Sequence, residues 1–311
     1  MALKSREVRI FYANKIVRER VFTNIKNYFC GKMDQTVTYN GYTLHYKIFG
    51  NGKEPLIAFH GFNRSADDFK IFESSLGRYY TFYSFNLFYY GNSTIEKGKE
   101  LSFDFDDLKG LINQFCQKEG IERFSLLGYS MGGRVAMVCL ELFCEQVDAL
   151  YLLAPDGVKM NNWYNLFAKS ILVRKLYKHI IKDPSIFFKL ANILRRRKMV
   201  TESLYNFAMH HMHSAEKRQK VFDVWMSLRK ILPNPRHIHK ILKDKKIRLH
   251  LFFGKYDHII RVQTGREFVK LLGRQEALHV IDSGHNLVYY ALNPYLLEIL
   301  KDERGGGGSV K

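Results

Sequence analysis

Residues 124–143 read FSLLGYSMGGRVAMVCLELF, and the fold turns on them. FSLL is a short apolar run with strand character, and RVAMVCLELF (134–143) is apolar enough for a buried helix. Between them stands Gly128-Tyr129-Ser130-Met131-Gly132, a G-x-S-x-G motif in a strand-to-helix context. A turn that tight holds its central residue in a strained conformation and tolerates only small neighbours, because strand and helix backbones nearly touch. The serine hydroxyl is thereby lifted above the sheet, at the N-terminus of a helix whose dipole favours negative charge.

Outward from this turn, strands and helices alternate. TVTY and YTLHYKIF meet at Asn40-Gly41, a two-residue hairpin signal. PLIAFHG (55–61) and TFYSFNLF (81–88) follow as strands, then a helical pattern over 103–118. Beyond the motif come ALYLLAP, IRLHLFFG and ALHVID as strands, with a helix around TGREFVKLLG. Such alternation predicts an α/β architecture, a mostly parallel doubly wound sheet covered by helices on both faces.

Residues 158–246 interrupt the alternation with an almost wholly helical pattern punctuated by Pro184, Pro233 and Pro235. Lying between two core strands, they read as an inserted helical cap, leaving a core of 35–157 and 247–302. Residues 5–30 carry an apolar stripe (Ile10, Ala13, Val17, Val21, Ile25, Tyr28) with Arg9, Lys15, Arg20 and Lys26 off it, a basic amphipathic N-terminal helix within 1–34. Residues 303–311, ending GGGGSVK, read as a linker or tag-like tail.

The chain resembles the α/β-hydrolase family over roughly 35–302. HGFNRS (60–65), GYSMGG (128–133), GKYDHI (254–259) and DSGHN (282–286) carry the resemblance, in the family's order of nucleophile, acid and histidine. It implies the α/β-hydrolase fold and a triad of Ser130, Asp257 and His285. A serine hydroxyl needs a base within hydrogen-bond reach. His285 stands in the loop after ALHVI, the family's place for that base, whereas six of the twelve histidines (His179, His210, His211, His213, His237, His239) fall in the cap as polar surface or pocket residues. Asp257 follows the strand LHLFFG and is expected to orient the imidazole. Asp156, after ALYLLAP, competes for that role and is expected instead to serve a structural turn, while Asp282 serves its own loop. By the same resemblance the backbone N–H groups of Phe62 and Met131 form the oxyanion hole, and His60 shapes the loop rather than acting as base. One departure is plain: Asn86-Leu87-Phe88-Tyr89-Tyr90-Gly91-Asn92-Ser93 occupies the place of the family's common Asp and glycine-rich turn.

These residues point to a serine hydrolase that cleaves carboxylic esters or thioesters through an acyl-enzyme, of carboxylesterase, lipase or thioesterase type. C–C bond hydrolases and lyases share the same residue set, and a hydrolase-fold binding protein is the non-enzymatic alternative. Ser130 argues against haloalkane dehalogenases and epoxide hydrolases, which use an aspartate there. Neither cofactor nor metal is expected: Cys30, Cys116, Cys139 and Cys144 form no C-x-x-C pair and read as free thiols of a reducing cytoplasm. No run of 18 apolar residues predicts a membrane span, and the N-terminus lacks a leader's apolar region. The expected location is cytoplasmic, with peripheral membrane association left open.

The formal net charge is +19, and 158–246 holds 21 Lys+Arg against 5 Asp+Glu, a net +16. That concentration suits an anionic substrate, an anionic lipid surface or an acidic carrier protein. With no recognised nucleic-acid-binding module, nucleic acid is not expected.

Overall fold

The structure, a computed structural model, describes residues 34–99, 103–159 and 170–304. The basic helix expected within residues 1–34 and the glycine tail from 305 lie outside the described residues, apart from Asp34.

Among the described residues nine strands form one sheet: β1 (Gln35–Tyr39), β2 (Tyr42–Phe49), β3 (Glu54–Phe59), β4 (Tyr80–Phe85), β5 (Thr94–Ile95), β6 (Phe124–Tyr129), β7 (Val147–Leu153), β8 (Arg248–Gly254) and β9 (Leu278–Ile281). The order is β1-β2-β4-β3-β6-β7-β8-β9, with the short β5 pairing beside β2. β1 and β2 are antiparallel, as are β2 and β4, and every pairing from β4 through β9 is parallel. The hairpin turns through Asn40 (φ 49°) and Gly41 (φ 73°), two left-handed residues in succession, as a type I′ turn requires. β6 is buried at all six positions because helices cover both its faces.

One face carries a 3₁₀ stretch (Ala66–Phe72) running into α1 (Glu73–Leu76), together with the C-terminal helix α10 (Asn293–Glu303); Phe69, Phe72, Leu292, Leu296 and Leu300 join its core. The other carries α2 (Phe105–Glu119), α3 (Met131–Leu142), α8 (Pro235–Asp244) and α9 (Val262–Leu272), with Leu111, Val135, Ile238 and Phe268 in its core. α4 (Ile171–Lys182), α5 (Ser185–Arg196), α6 (Glu202–Met212) and α7 (Ala215–Ser227) lie between β7 and α8.

α8, which the sequence places at the end of the inserted cap, packs in the helical layer of the sheet. Ile238, Ile241 and Leu242 are buried against it, and Glu141 of α3 accepts from the Asn234 backbone N–H (2.7 Å) and meets His237 Nδ1 (3.0 Å). A parallel β7-to-β8 connection needs a crossover helix, and α8 is the one next to β8. Glu303 and Arg304, counted with the tail, are tied in: Glu303 accepts from Arg248 (2.7 Å) and pairs with His250 Nε2 (2.6 Å), while Arg304 donates to Glu54 (2.7 Å). The strand expected over 81–88 also stops at Phe85, because Asn86 turns inward.

Candidate active site

Ser130 sits between β6 and α3 with φ 50° and ψ −117°, a conformation a non-glycine residue adopts only under constraint. Neighbours hold it there. The Ser130 N–H donates to Leu153 O (2.9 Å), and its carbonyl accepts from both Gly133 and Asp156 N–H (2.9 Å each). The glycines answer to close approach: a Cβ at Gly128 would lie 2.6 Å from the Gly133 Cα, and one at Gly132 would collide with the Phe59 carbonyl.

The elbow aims the hydroxyl at the loop after β9. Ser130 Oγ lies 3.0 Å from His285 Nε2, and His285 Nδ1 lies 2.7 Å from Asp257 Oδ2. A carboxylate only accepts, so Nδ1 carries the proton and Nε2 presents its lone pair to the serine. Asp257 is buried, and its other oxygen accepts from the backbone N–H groups of Ile259 (2.7 Å) and Ile260 (2.9 Å). Three donors on one buried carboxylate fix its plane. The loops bearing Asp257 and His285 adjoin because Gly254 has no side chain; a Cβ there would strike Gly284 O. The imidazole remains partly open to solvent, its side chain 20% exposed.

The structure therefore brings Ser130, His285 and Asp257 into one hydrogen-bonded line. Asp156 is turned away from it: its carboxylate faces the buried Arg134 guanidinium at 3.6 Å, while its N–H braces the elbow. Asp282 is exposed in its loop. Met131 opens α3 directly after the serine, and Phe62 lies in the loop after β3, where Gly61 packs close to Tyr129 and to Ser130 Cβ.

Residues 54–179 match the family described as alpha/beta hydrolase fold. The uncharacterized hydrolase YugF of Bacillus subtilis (strain 168) is 22% identical over 251 residues, 80% of this chain and 89% of that protein. Lipase 1 of Psychrobacter immobilis is 23% identical over 247 residues, 77% and 74% of the two chains. A thermophilic esterase from Thermogutta terrifontis superposes with a TM-score of 0.61 at 16% identity, over 88% of this chain and 98% of that one. This chain has the α/β-hydrolase fold.

The fold keeps His60 off the Ser130–His285–Asp257 line. The ring is fully buried, and Leu87 N–H donates to Nε2 (3.0 Å). Nδ1 must then carry the proton, which it donates to Gly61 O (2.7 Å). Burial above all holds its pKa down at about 4, so at neutral pH it is an uncharged clamp between the Phe62 loop and the loop after β4.

The aromatic loop that departs from the family's common pattern has its own logic. Asn86 is buried and uses both ends of its amide: Oδ1 accepts from Ala66 N–H (2.9 Å) and Nδ2 donates to His45 Nδ1 (2.7 Å). His45 Nε2 then points at Asp34 Oδ1 (2.9 Å). An aspartate at 86 would have no proton for His45, so asparagine suits this network. Tyr89 takes a left-handed conformation (φ 68°), and Tyr90 Oη accepts from Asn63 N–H (2.8 Å), tying this loop to the one bearing Phe62. Burial drives the Tyr90 hydroxyl up to about 12, keeping it neutral.

Two helices of the insertion close on this corner. His211 of α6 meets Phe62 edge-on (ring centroids 5.0 Å), and Lys220 of α7 lies 4.5 Å above the Tyr90 ring. Of the six histidines in the expected cap, His211 is the one seen against the Phe62 loop; burial, then His210 and Lys217, holds its pKa at about 4. Sequence reasoning missed three further supports: Tyr129 Oη donating to His285 O (3.2 Å), Arg64 donating to Asn286 Oδ1 (2.8 Å) and Tyr90 on Asn63. Arg64 and Asn286 are 222 positions apart, so no local pattern joins them.

Proposed function

We propose that this chain is a serine hydrolase of carboxylic esters or thioesters working through an acyl-enzyme. Ser130 Oγ attacks the carbonyl carbon while His285 Nε2 takes its proton. Asp257 holds the imidazole in the required tautomer and stabilises its cation without itself being protonated. The carbonyl oxygen, now negative, is held by the backbone N–H groups of Phe62 and Met131. As the intermediate collapses, the bond to the leaving group breaks and His285 returns the proton to the departing alcohol or thiol. Water, deprotonated by the same nitrogen, then attacks the acyl carbon and releases the acid and free Ser130.

The observation that carries this reading is the hydrogen-bonded line from Ser130 through His285 to buried Asp257, with Ser130 held at φ 50°. A fluorophosphonate probe tests it, since phosphonylation needs an activated serine. The expected result is a single adduct mapping by mass spectrometry to Ser130, absent after Ser130→Ala. Hydrolysis of p-nitrophenyl butyrate should vanish with it, and a chain-length panel of esters and thioesters then defines the acyl group. Labelling elsewhere, or undiminished hydrolysis by Ser130→Ala, would refute the reading.

A further inference from the structure

We propose that α4 and α5 form a peripheral docking surface for anionic phospholipid bilayers. Neither helix buries a single residue, although each is strongly two-sided. α4 is held by one side. Tyr177 stacks on Phe222 of α7 (centroids 5.7 Å), and the buried Arg218 guanidinium donates to Ile181 O (3.1 and 3.0 Å) and to Met212 O (2.8 Å). Leu172 and Leu176, one turn apart, are left facing outward. So are Ile186, Leu190 and Ile193, at the i, i+4, i+7 positions of α5. These five aliphatic side chains are between 47% and 77% exposed. Scattered exposed leucines are ordinary, but an uncovered aliphatic stripe on two successive helices marks an interaction surface.

The charge beside the stripe selects the occupant. Residues 171–196 hold seven Lys/Arg and one acid. That acid, Asp183, is engaged in capping: it accepts from the Ser185 backbone N–H (2.9 Å). Lys175, Lys178 and Lys182 run along α4 beside Leu172 and Leu176, and Lys189 and Arg196 run along α5 beside its own stripe. An aliphatic face bordered by cations is what a helix needs to lie in the headgroup boundary of an anionic leaflet, with its leucines among the acyl chains. An acidic protein would answer the lysines and leave the outward leucines uncompensated. Among the described residues no helix is long and apolar enough to cross a membrane, so the attachment is peripheral. It is also close to the chemistry, since α4 packs on α7, whose Lys220 covers Tyr90 beside the Phe62 loop.

Co-sedimentation of the full chain with vesicles tests this, performed on the Ser130→Ala protein so that the result does not depend on hydrolysis. The protein should pellet with phosphatidylcholine vesicles containing about one-third phosphatidylglycerol and only weakly with pure phosphatidylcholine. Combining Leu172→Ser, Leu176→Ser, Leu190→Ser and Ile193→Ser should weaken partitioning about tenfold or more. Leu172→Ser alone, at the most exposed position of the set, should show a partial loss with an unchanged melting temperature. Lys175→Gln, Lys182→Gln, Lys189→Gln and Arg196→Gln together should lower partitioning onto the anionic vesicles by about 10³-fold. Three results would each overturn the proposal: no pelleting with anionic vesicles; the serine variants binding as the parent does, the signature of a purely electrostatic surface suited to an acidic protein; or a dimer that depends on these leucines and does not bind vesicles.

Discussion

Replacing Asp257 with asparagine changes one atom and should stop proton transfer at the far end of the imidazole. The site dictates how the new amide must sit. Asp257 Oδ1 faces two backbone donors, Ile259 and Ile260, at 2.7 and 2.9 Å, and Oδ2 faces one, His285 Nδ1, at 2.7 Å. Turning the NH₂ group toward Ile259 and Ile260 would set it against two fixed N–H groups, each costing about 1–3 kcal/mol when buried and unpaired. Turning it toward His285 opposes a single donor, and the imidazole escapes by moving its proton to Nε2. The amide therefore points at His285, and the proton arrives on the nitrogen 3.0 Å from Ser130 Oγ. That nitrogen can no longer accept the serine's proton. The expected loss is about 10⁴-fold in kcat, or about 5 kcal/mol of transition-state stabilisation, with the fold intact. Asp156→Asn is the control. Its carboxylate faces Arg134 rather than His285, so kcat should stay within about tenfold and any deficit should show in thermal stability. Steady-state kinetics on p-nitrophenyl butyrate decide the matter, with ¹⁵N-imidazole spectra reporting the tautomer. An Asp257→Asn enzyme within tenfold of the parent, or an Asp156→Asn enzyme damaged as badly, would refute the reasoning.

Three other outcomes are expected. Gly132→Ala should abolish soluble expression or sharply lower the melting temperature, because its methyl would collide with the Phe59 carbonyl; a well-folded variant would mean that β3 and α3 can separate. Tyr90→Phe removes the acceptor for Asn63 N–H in the loop that carries Phe62; kcat should fall about three- to tenfold with KM nearly constant, whereas a change confined to KM would place Tyr90 in substrate binding. The His60 imidazole titrates near 6.5 when unfolded and at about 4 when folded, so between those values only the unfolded chain takes up the proton. The His60 contribution should thus be fully present above pH 6.5 and decline by about 3 kcal/mol toward pH 4; urea titrations of parent and His60→Gln should differ by this slope, and parallel slopes would count against the burial.

The candidate site divides according to how far apart its causes lie in the chain. The elbow was legible because its demands are local: small residues at 128 and 132, a serine between them, a strand before and a helix after. The hairpin at Asn40-Gly41 was legible for the same reason, since the two left-handed conformations are a property of those residues. His285 and Asp257 could be nominated from their loops, but their sequence neighbourhoods say nothing of the distances that make them partners. Only the tertiary structure set the two carboxylates apart, Asp257 against His285 Nδ1 and Asp156 against Arg134, because those contacts join residues far apart in the chain. It also packed α8 against the sheet, a contact the sequence could not show, since periodicity reports that a helix has an apolar face and not what covers it. The outward stripe of α4 and α5 is the same lesson reversed: its leucines keep the spacing of a buried face, and only the packed fold, holding α4 by Tyr177 on the other side, leaves them exposed.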